Sequence, residues 1–259
     1  MRVAVIGGCG YLGGYVCRAL KKQNVRTIDR SSQADISLDV TQSVDLHKAL
    51  QGMDVIINLV GLTPLREPKN GYEAVHVELP RTLSAFQKTA YIVHISALGA
   101  STSASTAYLR TKAQGESYLS DSLIIRPSLL FSQTHPLYTA LVRASFTRMF
   151  PRIPALFQPV DTEEFAQFIV NLIQKRKKGI VEVGGPEQLH LFELAHRVFR
   201  KQNRSCVLLP SWLAYLGATV LAILPSTRIG FDQVRGLDLS NVLVPNPLVT
   251  QHLLAKKVI

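Results

Sequence analysis

Hydrophobic positions along this chain fall into two alternating patterns. Short unbroken runs of β-branched and apolar residues recur, among them Val3-Ala4-Val5-Ile6, Val55-Ile56-Ile57 and Leu123-Ile124-Ile125. Between them lie longer stretches with apolar residues at helical spacing. A continuous Val/Ile run marks a strand buried on both faces, as in a parallel sheet. The runs predict strands near 2–7, 25–28, 55–60, 91–96, 123–125 and 180–183. The periodic stretches predict helices over 11–23, 43–51, 72–89, 106–120, 161–175 and 191–201. Alternation of this kind predicts an α/β fold with a doubly wound parallel sheet. A Pro-rich stretch from Pro127 to Pro159 interrupts it. The division expected is a core over 1–126 and a small C-terminal α/β lobe over most of 127–259, with 160–183 returning to the core.

The first strand runs straight into glycines. Gly7, Gly10 and Gly13 stand at G-x-x-G-x-x-G spacing, followed by Tyr15-Val16-Cys17-Arg18-Ala19-Leu20 as a helix. In a dinucleotide site the first glycine turns the chain off the strand, the second lets backbone approach a pyrophosphate, and the third packs helix against sheet. Free N–H groups at the helix start, around Tyr11 and Leu12, then face the phosphates. A merely tight strand-to-helix turn is the plainer alternative, but the strand before and the helix after favour a Rossmann-type nucleotide site. Further along, Asp29 ends the second strand, where a carboxylate accepts from ribose hydroxyls and favours NAD. Arg30 pulls toward NADP, because a guanidinium pairs with a 2′-phosphate; the balance leans to NAD. Asp39-Val40 suits the adenine, and backbone at Leu59, Val60 and Gly61 is expected along the cofactor. Asn58 reads equally as a structural hydrogen bonder at its strand end.

Tyr108 and Lys112 stand four apart, on one helical face. An ammonium beside a phenol lowers its pKa, so that the phenol can exchange a proton with a carbonyl or carbinol. The lysine also suits a nicotinamide ribose. Ser96 ends the preceding strand and is expected to point into the site. His94 lies mid-strand and reads as a core histidine, while His135 and His190 read as loop residues.

Lys and Arg exceed Asp and Glu by 29 − 18 = 11. Such an excess suits anionic partners, yet no arginine-rich tract or stacking-aromatic pattern points to nucleic acid. The charge is read as solvated surface. Three cysteines at positions 9, 17 and 206 have no metal or redox spacing, which suits a reducing compartment. The first strand starts at Arg2 or Val3, which leaves no room for a leader ahead of it and predicts the bacterial cytoplasm, with the mitochondrial matrix as the alternative. The most apolar run, Trp212–Leu224, is shorter than the roughly 18–20 residues a spanning helix needs. It reads as a packed helix or, through 211–224, as a peripheral membrane or partner contact.

Together VIGGCGYLGG, Asp39-Val40, VIINLVG, YLRTK and Ile125-Arg126-Pro127-Ser128 resemble the extended, atypical short-chain dehydrogenase/reductase family, with its sugar-nucleotide epimerase/dehydratase signature. The branch most resembled is the nucleotide-binding accessory subunit of respiratory complex I and its bacterial relatives. HISALGA, STAYLRTKAQGES, LIIRPSLLF, FQPVDTEEFAQFI and VEVGGPEQLHLFELAHRVF carry that narrower match, and LPSWLAYLGATVLAILPS with Asp232-Gln233-Val234 and Asp238 extends it nearly to the end. The resemblance implies NAD or NADP as cofactor, Pro127 as a cofactor contact, and Tyr108, Lys112 and Ser96 as catalytic positions. It also marks departures. Relatives carry a Ser or Thr two positions beyond Ser96, where this chain has Leu98; Ser101, Ser103 and Ser105 are the nearest hydroxyls along the chain. Ser132-Gln133-Thr134-His135 replaces a glycine-containing turn. Two functions follow as expectations. The leading one is an NAD(P)-dependent oxidoreductase or epimerase-like enzyme on a hydrophobic or quinone-like carbonyl compound. The other is a non-catalytic nucleotide-binding subunit of a respiratory or quinone-biosynthesis complex.

Overall fold

The computed structural model describes residues 1–21, 23–62, 72–213, 240–247 and 249–259. The apolar run beyond Leu213, with Asp232-Gln233-Val234 and Asp238, lies outside the described residues. In chain order the strands are β1 (Arg2–Ile6), β2 (Asn24–Asp29), β3 (Ile36–Ser37), β4 (Val55–Asn58), β5 (Tyr91–Ile95), β6 (Leu123–Pro127), β7 (Leu130–Phe131), β8 (Met149–Pro151), β9 (Leu156–Phe157), β10 (Val160–Asp161), β11 (Gly179–Gly184), β12 (Leu189–His190), β13 (Val207–Leu209) and β14 (Thr250–Leu253). The helices are α1 (Tyr11–Ala19), α2 (Ser43–Leu50), α3 (Leu79–Ser84), α4 (Ala107–Ser117), α5 (Pro136–Ala144), α6 (Thr162–Gln174) and α7 (Leu191–Lys201).

Eight strands form one parallel sheet in the order β14-β11-β6-β5-β4-β1-β2-β3. The six strands expected from the apolar runs are all in it. Burial alternates as a two-sided sheet requires. Val3, Val5, Val55, Ile57, Val93 and Ile125 join one core with Val16 of α1 and Phe165 and Ile169 of α6. Ala4, Ile6, Ile56, Ile92 and Ile124 join the other with Leu46 and Leu50 of α2 and Leu79 and Leu83 of α3. A third core, with Phe131, Leu141, Phe150, Val198 and Phe199, sits under α5 and α7 in the lobe. The chain reverses direction across the sheet between β1 and β4. In a doubly wound sheet that reversal opens a crevice at the strand C-termini.

Two differences from the expected layout have physical causes. β14 pairs with β11, Val181 opposite Thr250 through Gly184 opposite Leu253, so part of the segment assigned to the lobe completes the main sheet. Its sequence, TQHL, carries no apolar run, because an edge strand is half exposed. The helix expected over 72–89 is a π-helical turn, Ala74–Glu78, followed by the short α3. Pro80 has no N–H to give the carbonyl of His76 four residues earlier, and a regular α-helix fails there.

Candidate functional site

The glycine turn is built for backbone approach. Gly7 has φ +81°, a conformation that favours glycine, and its N–H donates to the Ile28 carbonyl at 2.8 Å. Gly10 donates to the Gly7 carbonyl at 3.0 Å and stands as the N-cap of α1. A Cβ on Gly13 would lie 2.3 Å from the Gly7 oxygen and 2.4 Å from that of Gly8, so only glycine lets α1 close on the turn. No side chain caps α1 and its first turn holds no acid. The start of the helix, at Tyr11, Leu12 and Gly13, therefore offers N–H groups with the positive end of a helix dipole behind them, which is a pyrophosphate's requirement. The residues present fit a dinucleotide.

Around the turn the other predicted contacts take these places. Asp29 accepts from the Cys9 N–H at 3.3 Å and the Ser31 N–H at 3.2 Å, which fixes its carboxylate beside the glycine turn. The guanidinium of Arg30 lies 3.7 Å from Asp39. Asp39 accepts from the N–H and hydroxyl of Thr41 at 3.0 and 2.7 Å, and these bonds hold its carboxyl below the usual range. Val40 is packed in the core. Leu59 donates to the Ile6 carbonyl at 3.0 Å and Val60 packs on Gly7, so both line the β1–β4 crevice. Tyr11 hydrogen-bonds Ser132 at 2.8 Å and Thr162 at 2.6 Å, tying the start of α1 to the segment after β7 and to the start of α6. Pro127 is buried and its carbonyl accepts from Leu98 at 3.0 Å. His135 and His190 cap α5 and α7 from the preceding loops.

A polar cluster lies behind this crevice at the C-termini of β4 and β5. Lys112 is only 3% exposed and donates to the Ile95 carbonyl at 3.1 Å. A Cβ on Gly61 would lie 3.0 Å from its Nζ, so the predicted cofactor segment and the predicted catalytic lysine do meet. Burial lowers the Lys112 pKa to about 8 against the raising pull of Glu116. The expectation that Lys112 lowers the pKa of Tyr108 is corrected: burial pushes the phenol up to about 12. Desolvation of the phenolate is the cause. Ser96 is buried beside the same cluster: its hydroxyl donates to Glu116, which also accepts from Arg126 at 2.6 and 2.9 Å. Leu98 is buried, and its backbone is bonded to Pro127 and Asn241. Ser101 and Ser103 bond each other at 2.9 Å in an exposed turn.

His76 is the residue that the sequence reading missed. Its Nε2 accepts from the Leu62 N–H at 3.1 Å, and its Nδ1–H donates to Thr111 Oγ1 at 3.0 Å. Thr111 in turn donates to the Ala107 carbonyl at 2.9 Å. The ring stacks on Tyr72, with centroids 5.0 Å apart, and meets Tyr108 edge-on at 5.5 Å. Tyr72 and His76 stand four apart, and that spacing was the available signal. Beside them Asn58 accepts from the Val60 N–H at 3.1 Å and so turns its Nδ2 to His94 Nδ1 at 3.0 Å. The proton of His94 therefore sits on Nε2, buried and without a hydrogen-bond partner among the described residues. His94 is a core histidine, as its mid-strand position suggested.

An all-parallel sheet, a glycine turn at its reversal and a Tyr-x-x-x-Lys helix beside it define a Rossmann-type protein resembling the extended short-chain dehydrogenases/reductases. The model of the NAD dependent epimerase/dehydratase family matches residues 3–84, from β1 to α3. Among curated proteins, the chain is similar to the rat (Rattus norvegicus) mitochondrial NADH dehydrogenase [ubiquinone] 1 alpha subcomplex subunit 9. The two are 26% identical over 249 residues, which cover 82% of this chain and 66% of that protein, so the match spans just under two thirds of the relative's length. Among solved structures, a hypothetical dTDP-4-dehydrorhamnose reductase from Sulfolobus tokodaii superposes with a TM-score of 0.70 at 26% identity, covering 81% of this chain and 85% of that one. The Bacillus anthracis dTDP-4-dehydrorhamnose reductase, solved in complex with NADP, superposes with a TM-score of 0.68 at 19% identity over 81% and 83% of the two chains.

Proposed function

We propose that this chain binds NAD or NADP across the β1–β4 crevice and serves as a nucleotide-holding accessory subunit of a respiratory or quinone-biosynthesis assembly. Gly7, Gly10, Gly13 and the start of α1 hold the pyrophosphate. Asp29, with Arg30, reads the adenosine ribose, and Lys112 anchors the nicotinamide ribose. Bound there, the nicotinamide would supply hydride exchange. The observation that carries the binding role is Leu98, an alkyl side chain buried where relatives place a hydroxyl, with Ser96 turned onto Glu116. Without a hydroxyl to polarise a carbonyl, turnover falls by about two to three orders of magnitude. The similarity to the complex I subunit points the same way.

A second reading is favoured by one feature, the Tyr108–Lys112 pair with its neutral histidine neighbour. It is an oxidoreductase or epimerase-like enzyme in which Tyr108 exchanges a proton with a hydrophobic or quinone-like carbonyl substrate.

Denaturing extraction of the purified protein, followed by mass spectrometry, is expected to release one dinucleotide per chain. Gly10→Val is expected to release none, since its side chain would stand where the phosphates approach. Tyr108→Phe separates the two readings. It leaves nucleotide content and assembly intact if the subunit reading holds, and abolishes turnover at unchanged nucleotide affinity if the enzyme reading holds. A chain that carries no nucleotide and binds neither pyridine coenzyme by calorimetry would refute both.

A further inference from the structure

His76 is buried and hydrogen-bonded at both ring nitrogens, although no group assigned to the nucleotide is among its partners. It sits in the middle of the π-helical turn Ala74–Glu78, a backbone form found mostly as single turns and frequently at functional sites. The direction of each bond follows from counting protons. The Thr111 hydroxyl has one, and the Ala107 and Tyr108 carbonyls, at 2.9 and 3.1 Å, take it. Toward His76, 3.0 Å away, Thr111 can therefore only accept, and the ring proton stands on Nδ1. Nε2 is left bare and accepts the Leu62 N–H at 3.1 Å. Burial, with the Lys112 ammonium adding to it, lowers the His76 pKa to about 2, so Nε2 stays an acceptor at neutral pH.

These two bonds fall beside the two groups assigned to the nicotinamide end. Leu62 follows Gly61 in the segment along the cofactor, and Thr111 precedes Lys112 on α4. A Cβ on Gly61 would lie 3.0 Å from Lys112 Nζ and 4.0 Å from His76 Nε2, so both nitrogens converge on this backbone. The segment is tied at its other end by Leu59, which donates to the Ile6 carbonyl at 3.0 Å, and by Val60, which donates to Asn58 Oδ1 at 3.1 Å. Past Val60 the His76 ring takes over and holds the segment against α4. The ring has little freedom of its own, being stacked on Tyr72 and met edge-on by Tyr108.

We propose that His76 is a positioning residue for the nicotinamide half of the dinucleotide: by gripping Leu62 and Thr111 together, it sets the gap between the Gly61 backbone and the Lys112 ammonium. The proposal rests on the nucleotide site described above, and it holds whether that site is catalytic or only retains its coenzyme.

The test is calorimetric titration of the full chain with NADH and NADPH, and with ADP and adenosine 2′,5′-bisphosphate, which carry the adenine half alone. The side-chain amide of Asn falls near the Nδ1 of a histidine it replaces, and that of Gln near the Nε2. His76→Gln can thus still accept from Leu62, whereas His76→Asn reaches only Thr111. His76→Asn is expected to weaken coenzyme binding about tenfold, the loss of one well-placed hydrogen bond, with the adenine-half ligands unaffected. His76→Gln should stay within about twofold of the unaltered chain, the low end of that range. Thr111→Val, which frees the ring at nearly constant volume, should also weaken the coenzyme selectively, and it carries the test if His76→Asn does not fold. Equal weakening of coenzyme and adenine-half ligands, no weakening, or a Gln variant as weak as the Asn variant would overturn the proposal. So would an unaltered chain that binds coenzyme no tighter than the adenine-half ligand, an outcome that leaves the nucleotide site standing. An unaltered chain that binds none of the four refutes the nucleotide site itself, and the proposal with it.

Discussion

Burial holds His76, His94 and His135 neutral, with pKa values lowered to about 2, about 3 and about 4. Desolvation is the largest cause in each, and the Lys112 ammonium adds to it for the first two. Between pH 4 and the ordinary histidine value of 6.5, the unfolded chain takes up protons that the folded chain refuses. Stability therefore rises with pH across that window and is lost as pH falls through it, by about 1.4 kcal/mol per pH unit for each histidine titrating fully. Urea unfolding at several pH values between 4 and 7 should show this slope, and His94→Gln should reduce it. A slope identical in the variant would mean that His94 is protonated in the folded protein. At this scale the glycine turn was legible because its spacing is local. The neutral state of Lys112's neighbours was not, because a pKa depends on what burial brings close.

Among the elements, α4 depends most on a neighbour the sequence does not announce. A Cβ on Gly115 would lie 1.9 Å from the His76 carbonyl, so this glycine lets the π-helical turn press against α4 and bring His76 to Thr111. Gly115→Ala is expected to cost about 1–3 kcal/mol as backbone is forced aside, read as a lower denaturation midpoint. Gly14→Ala is the control. Its Cβ would meet only Arg18 Nη1 at 3.6 Å, and alanine in a helix interior is favoured over glycine by roughly 0.5–1 kcal/mol. The Tyr108–Lys112 spacing placed both residues on one face of a helix correctly. Which groups that face meets was decided by Pro80 breaking one helix and Gly115 admitting the break.

Across the whole molecule, a buried ionic chain ties helix to sheet. Glu116 of α4 pairs with Arg126 of β6, which reaches Glu182 of β11 at 3.4 Å, and Gln251 of β14 donates to Glu182 at 2.9 Å. Arg126→Leu would leave two buried carboxylates without their cation. Removing one partner of such a pair costs about 3–5 kcal/mol, so the variant should unfold at a much lower denaturant concentration. Arg126→Lys should recover part of the loss, because lysine restores the charge but not the two-pronged geometry. Among the described residues no helix is long and apolar enough to cross a membrane.

The sequence by itself determined the alternation of strands and helices, six of the eight strands of the main sheet, and the glycine turn. Each is written within single elements, where apolar runs and glycine spacing leave a direct imprint, although the strand pairing itself joins residues far apart, such as Val3 with Val55. Only the tertiary structure decided that Ser96 serves Glu116, that burial raises rather than lowers the Tyr108 pKa, and that His76 joins the cluster. Hydrogen bonding and desolvation depend on residues that folding brings together from distant parts of the chain.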